Sequence, residues 1–523
     1  MGSLLVSVLS TCALASLVWK VFREYFVESP LDRIPGPPAS SLLAGNIPEF
    51  YDKTGKFYHK FLQDYLLAFK ERLLFLYDPK ALHHIFVKDQ HIYEEAPAFI
   101  AINKLFFGEG LLSTLAPIFY EVTGRLRKAF MNQVKNGPKE IDVLHWMTRT
   151  ALELIGQSGM GYSFDSLKED AGSADIHPYS RSVKRFGGLL SGTGTFVVTS
   201  YILPFAARYN YPRLKRWIVD HIPSQWVQDL KNIVDTIQET AVDICKMKQL
   251  VTLEGHDGKK DIISVLVKAN ASAAEEDRLS DEEVYGQVAS LTFAAMDTSS
   301  SALSRIICVL GEHQDVQDRL REELLETKKA NHGEELDHDQ LTSLPYLDAV
   351  CRETLRLYVS SPHFIDPEAY LLSSSRKDMI LPLSKPLKTT TGEVISEVFV
   401  PDGTTLFASV YGTNADAEIW GEDSHEWKPE RWLKSLPETV AAAHIPSVYS
   451  HLMTFLGGSR ACIGFKFAQL EIKIILSVLL TSFKFEQGSK KILWTMPGIT
   501  APVVDGDDIT HPSLPMIITA LST

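Results

Sequence analysis

Cysteine, glycine and arginine crowd together in Phe455-Leu456-Gly457-Gly458-Ser459-Arg460-Ala461-Cys462-Ile463-Gly464, just ahead of an apolar stretch. Glycines let a backbone come close to a flat partner. At a helix start, backbone N–H groups and the positive helix end favour a thiolate over a thiol. Arg460 adds a cation that can pair with a carboxylate. Such a thiolate is suited to hold a metal; the plain alternative is a buried apolar filler, which fits Cys12, Cys245, Cys308 and Cys351. Two further constellations carry charge. Glu353 and Arg356 share one helix face by their spacing, and Arg431 follows in Pro429-Glu430-Arg431-Trp432. Asp297 and Thr298, after Ala294-Ala295-Met296, set a carboxylate beside a hydroxyl, as a proton relay requires. On its own that pair also reads as a polar break in a core helix.

The elements that position these residues can be read from periodicity. Ser280-Asp281-Glu282-Glu283 is a capping box before the stripe Val284, Val288, Leu291, Ala295, which Leu303, Ile306, Ile307 and Leu310 resume. It predicts a helix of roughly thirty residues through the centre of the molecule. Residues 55–360 are mainly helical in pattern. Val398-Phe399-Val400, Pro401-Asp402-Gly403 and Thr404-Thr405-Leu406-Phe407 predict a β-hairpin, with another turn at Thr391-Gly392-Glu393. Helix returns at 463–482 on the stripe Phe467, Leu470, Ile474, Val478. The expectation is one mixed domain, mainly α with small β-sheets, over residues 41–523.

Composition limits the function. A net charge of −13 argues against nucleic-acid binding, which asks for a basic face. Five scattered cysteines without a CxxC or Cys/His cluster argue against structural zinc and a disulfide framework. Met1 to Trp19 has no charged side chain, and Lys20 and Arg23 follow. Residues 1–22 are therefore expected to be a transmembrane helix, with the positive flank keeping the rest cytosolic. A cleaved signal peptide is the alternative, but no basic segment precedes the apolar run. Residues 23–40, basic and then Ile34-Pro35-Gly36-Pro37-Pro38, should form a stiff hinge.

Taken together, these motifs closely resemble the cytochrome P450 family, and between about 395 and 475 its basidiomycete microsomal members most of all. Phe455, Gly458, Arg460, Cys462 and Gly464 match its haem loop. The resemblance implies that Cys462 is the axial thiolate of a haem b iron, which favours O–O cleavage. It implies a structural triad of Glu353, Arg356 and Arg431, and proton delivery by Asp297 and Thr298. Implied as well are O2 as oxidant, a lipophilic small-molecule substrate of terpenoid or related secondary metabolism, and a single-pass protein of the endoplasmic reticulum. The chain shows no flavin or nicotinamide fingerprint, so the resemblance implies electrons from an NADPH-dependent flavoprotein reductase. That partner would dock near Lys428, Arg460 and Lys466. A haem-thiolate isomerase or dehydratase that uses no O2 and an inactive membrane-bound member are the rival readings.

Three places depart from the family pattern. The early helix carries Arg125-Leu126-Arg127-Lys128, with Arg127 expected on a haem propionate, but Thr123 stands where a Trp or His ring is usual. Residues 62–75 are short. After Arg356 the chain runs Val359-Ser360-Ser361-Pro362-His363-Phe364, without the usual prolines.

Overall fold

The computed structural model describes residues 29–35, 74–89, 112–168, 177–180, 182, 211–253, 261–273, 275, 278–358, 372–495, 499–508 and 511–521. The expected anchor at 1–22, most of the hinge, residues 62–73 and His363 lie outside them. Among the described residues no helix is long and apolar enough to cross a membrane.

The helices used below are α1 (Leu112–Gln133), α2 (Val143–Ile155), α3 (Pro212–His221), α4 (Gln225–Leu253), α5 (Asp281–Glu312), α6 (Gln314–Ala330), α7 (Pro345–Leu357) and α8 (Phe465–Leu480). The strands are β1 (Leu74–Leu76), β2 (Lys139–Asp142), β3 (Leu372–Ser374), β4 (Met379–Lys388), β5 (Val394–Val400), β6 (Thr405–Ala408), β7 (Phe483–Gln487), β8 (Ile492–Thr495), β9 (Ala501–Val504) and β10 (Pro515–Ala520). They form small sheets ordered β1-β6-β3, β2-β10-β7, β4-β5 and β8-β9. The chain is mainly helical, as its patterning predicts.

Helix α5 is the axis of the molecule. Its capping box forms: the Glu283 N–H donates to the Ser280 hydroxyl at 3.3 Å, and the Ser280 N–H to the Glu283 carboxylate at 2.8 Å. Three acidic residues in the first turn complement the helix dipole. The helix runs 32 residues and packs against α2, α4, α6, α7, α8 and β7. Its second half, from Ser299 to Gly311, is buried almost throughout, in keeping with Leu303, Ile306, Ile307 and Leu310 on successive turns. Helix α8 is apolar on most faces and lies in the same core, with Phe467 edge-on to Phe119 of α1 at 5.0 Å. Each such side chain contributes about 1.5–3 kcal/mol by leaving water.

The hairpin expected over 398–407 is corrected. Its turn exists, with Gly403 at φ +77° and the Thr404 N–H on the Pro401 carbonyl. The strands on either side nonetheless enter different sheets. β5 pairs with β4 across the turn at Thr391-Gly392-Glu393, while β6 pairs with β1 and β3. Ser375 is the reason. Its backbone exchanges hydrogen bonds with Gly403 and Thr404, which folds the turn back onto β3. Near the chain start, Ser29 caps a short turn over Pro30–Arg33, and the Arg33 carbonyl is held by the Thr390 N–H at 2.9 Å.

Candidate active site

Cys462 sits between a turn at Gly458–Arg460 and the start of α8. Its N–H donates to the Phe455 carbonyl at 2.8 Å, which closes the loop. Gly458 lies at φ +69°, and a Cβ there would collide with the Phe86 carbonyl oxygen, so no other residue fits. Leu456 takes φ 54° and ψ −173°, a conformation nearly confined to glycine. Strain of this kind persists only where the surroundings over-determine the backbone. Phe455 packs edge-on to Tyr449 at 5.7 Å and against Phe465 at 6.2 Å.

The Cys462 side chain is exposed by surface area, yet protein atoms ring it on all sides. Both hold for a group that lines an interior space. A Cβ built on Gly464 meets nothing within 4 Å, so there is open space beside that glycine too. Burial pushes the free thiol up to about 11, while the Gly464 N–H acts the other way. A thiolate here therefore calls for a positive partner at sulfur. Arg460 is buried, its guanidinium 5.9 Å from the centre of the Phe86 ring.

Behind the loop is a scaffold. Glu353 and Arg356, both 0% exposed on α7, form a two-pronged pair at 2.8 and 2.9 Å. Arg431 approaches Glu353 at 3.4 Å, so the three residues meet, but its shorter bonds go to Asp423 and the carbonyls of Trp420 and Asp423. Glu353 also accepts from the Trp432 indole at 2.9 Å and the Lys428 N–H at 3.0 Å. Its lone pairs are thus well occupied, which is what makes a buried carboxylate tolerable. One residue ties this cluster to the loop. The Asn414 carbonyl accepts from Arg356 at 2.9 Å. Its side chain accepts from the Met453 N–H at 2.8 Å and donates to Thr454 at 3.0 Å. Thr454 in turn donates to the Leu355 carbonyl. Asn414, Asp423 and Trp432 are the partners that motif spacing missed. Trp432 adjoins Arg431 in sequence, whereas a lone Asn414 carries no local signal.

On α5, Ser290 and Ala294 are exposed, and Leu291, Ala295 and Thr298 half-exposed, while Val288, Thr292, Met296 and Asp297 are buried. These side chains repeat every three or four residues, so one face of a central helix looks onto open space. Thr298 belongs to that face, its hydroxyl donating to the Ala294 carbonyl at 2.7 Å. Asp297, one helical step round, turns into the protein, and its charge helps push the buried Tyr179 hydroxyl upward, after burial itself.

A family model described as Cytochrome P450 matches residues 35–369 and 374–502. The chain belongs to the cytochrome P450 family. This P450 is 40% identical to Cytochrome P450 monooxygenase 91 of Postia placenta, over 97% of each chain. It is 35% identical to a ganoderic acid synthetase of Ganoderma lucidum, again over 97% of both. A Hericium erinaceus P450 is 33% identical over 92% of both. These relatives carry the names of monooxygenases and of a synthetase, and the enzyme class of this chain is P450 monooxygenase. The match to the first spans 544 positions against 523 residues, so that relative has segments this P450 lacks.

Membership implies a haem, and the residues around Cys462 fit one. A ringed sulfur opens on interior space beside a glycine, with an N–H aimed at it and a buried arginine two residues upstream. The early helix is different, and the contacts of Arg127 lie away from the Cys462 loop. Arg127 is exposed, and its Nε donates to Ser482 at 2.7 Å, past the end of α8 and so a full helix length, about 24 Å, from the Cys462 end. Arg125 is committed to Glu153 at 3.1 Å and the Asp165 carbonyl at 3.3 Å. Thr123 is buried, donating to the Phe119 carbonyl. No cation of α1 among these turns to the Cys462 loop.

The cations expected to form a docking face differ in exposure. Arg460 is buried, and the exposed Lys428 is offset by Asp423 at 3.2 Å and Glu426 at 2.6 Å.

Proposed function

We propose that this P450 hydroxylates, or otherwise oxidises, a lipophilic small molecule of terpenoid-like secondary metabolism, using O2 and electrons from an NADPH-dependent reductase. The observation that carries the reading is an open Cys462 together with a central helix that presents Thr298, with Leu291, Ala294 and Ala295, on an open face. A bound haem would supply the iron-centred oxidation chemistry. Cys462 would be its thiolate ligand, steadied by the Gly464 N–H, and Arg460 would pair with a cofactor carboxylate. Phe455 screens the sulfur side from water. On the open face of α5, Leu291, Ala294 and Ala295 would orient an apolar substrate. Thr298 passes a proton at its Oγ1, and Asp297 restores it.

Substrate class rests on the apolar stripe and on the printed name of the ganoderic acid synthetase relative. Single-pass attachment to the endoplasmic reticulum, with the catalytic body cytosolic, rests on the uncharged run Met1–Trp19 and the basic residues after it. Tyr211, Leu214, Trp217 and Ile218 on and beside α3 support it, since they are 46–63% exposed among Arg213, Lys215 and Arg216. The deciding experiment is a reduced CO-difference spectrum of the full chain, followed by turnover with reductase and O2. A thiolate-type band is expected; folded protein without it overturns the reading. Thr298→Ala should divert electrons from product to peroxide, and unchanged coupling would remove Thr298 from the relay.

A further inference from the structure

Helix α5 carries one more charged group that none of these roles uses. Arg305 lies seven residues beyond Thr298, two turns on and about 10 Å along the axis. Protein atoms ring its guanidinium, yet the side chain keeps some open surface. The guanidinium carbon is 3.6 Å from the ring centre of Trp494 on β8 and 4.4 Å from that of Tyr358, which ends α7. Two aromatic rings steady the cation, but neither supplies an anion. Among the described residues no hydrogen bond or ion pair reaches the guanidinium, and Nε is closed off without a partner. The next carboxylate along α5, Glu312, is exposed and accepts from Gln487. Burial pulls the guanidinium down to about 10, so its charge lacks full compensation. The half-buried Tyr358 likewise makes no hydrogen bond through its hydroxyl among the described residues. Interior charges are normally paired, so an arginine with open surface and no acid marks a place for an anion.

We propose that Arg305, with Trp494 and Tyr358, forms a binding site for the carboxylate of a flat, apolar acid. With Nε closed off, the two Nη groups present a planar fork that a carboxylate meets through two parallel hydrogen bonds. The Tyr358 hydroxyl adds a donor, and the two rings receive the apolar body of the acid. The Trp494 indole N–H is turned to Cys308, which fixes that wall. The site also adjoins the open face of α5. Ser301, between Thr298 and Arg305, donates to the Thr500 carbonyl at 2.5 Å, just ahead of β9, and β9 pairs with the strand that carries Trp494. An acid on Arg305 therefore presses on the strand pair that is tied to α5 beside Thr298. The site itself does not depend on the monooxygenase reading.

Fluorine NMR of para-fluorobenzoate with the full-length holoenzyme tests this. The wild type should shift and broaden the signal saturably; excess benzoate should reverse the effect, and neutral methyl benzoate should not. Arg305→Met keeps an apolar stem without the fork and should abolish saturable binding. Arg305→Lys should leave only a weak remnant, since a point charge replaces the fork. Tyr358→Phe removes a single oxygen and should weaken binding several-fold, which decides the matter if Arg305→Met does not fold. Palmitate identifies where the carboxylate comes from. If it displaces the probe and turns the ferric haem high-spin only while Arg305 is intact, the carboxylate is the substrate's own. If the probe leaves and the haem stays low-spin, the acid is a separate effector. No saturable binding by the wild type, or unchanged binding in Tyr358→Phe or in folded Arg305→Met, would overturn the site. A wild type that binds the probe but gives no thiolate-type CO band would overturn the monooxygenase reading alone.

Discussion

Around Cys462 the polar groups of the chain converge on the loop, whereas Arg125 and Arg127 of α1 are held by partners away from it. Arg356 reaches Glu353, Asn414 and Ser424, and Asn414 passes that order on to Met453 and Thr454. Arg125 and Arg127 instead close a network with Glu153 and Asp165 and clip the end of α8. The difference teaches which side of this P450 has its backbone most tightly determined. The thiolate side is over-determined enough to keep Leu456 in a strained backbone. The α1 side stabilises the fold.

The sharpest way to break this comparison is Cys462→Ala. It should abolish the thiolate-type band outright while the protein stays folded; a retained band would move the ligand elsewhere. Next in size is Arg356→Ala. It strands Glu353 in the core, with only neutral donors and a long contact to Arg431, and loss of one partner of a buried pair costs about 3–5 kcal/mol. Denaturant unfolding should show that loss, and destabilisation below about 1 kcal/mol would deny the pair its central role. Asn414→Ala comes third. It removes two hydrogen bonds and orphans the Met453 N–H, for about 2–3 kcal/mol. Because it acts on the loop, it should also shift part of the CO band to the form without thiolate. Asn414→Asp keeps the acceptor for Met453 and should recover most of the band.

The same comparison shows what could be read from sequence. The Cys462 loop and α5 were legible because local rules decide them: glycine where backbone approaches closely, a capping box, an apolar stripe. Glu353 and Arg356 were legible because three residues in a helix fix their relative position. Asn414 was not, since its partners lie some forty and sixty residues away and only tertiary packing unites them. The orientation of Arg127 was not legible for the opposite reason. A basic residue in an early helix satisfies the family spacing, but which way it points depends on how α1 lies along α8, and Phe119 against Phe467 with Phe130 against Phe483 sets that register. The hairpin at 398–407 misled similarly, because a good turn does not choose the partners of its strands.

The smallest expected effect sharpens the comparison most. Arg127→Ala removes one bond from an exposed guanidinium to Ser482, a change within about 1 kcal/mol. If α1 serves only the fold, the rate at which haem transfers from the ferric protein to apomyoglobin should not change. Arg460→Ala is the counterpart. It deletes a buried cation two residues from Cys462 and should speed that transfer several-fold, with stability of the haem-free protein little altered. Should Arg127→Ala speed haem loss as much as Arg460→Ala, the Ser482 contact would not be the working position of that side chain. Helix α1 would then have to turn or slide along α8 when haem binds, exchanging Ser482 for a propionate. An unaffected rate leaves Arg460 as the cation on which retention depends, and places this P450's grip on haem at the thiolate loop.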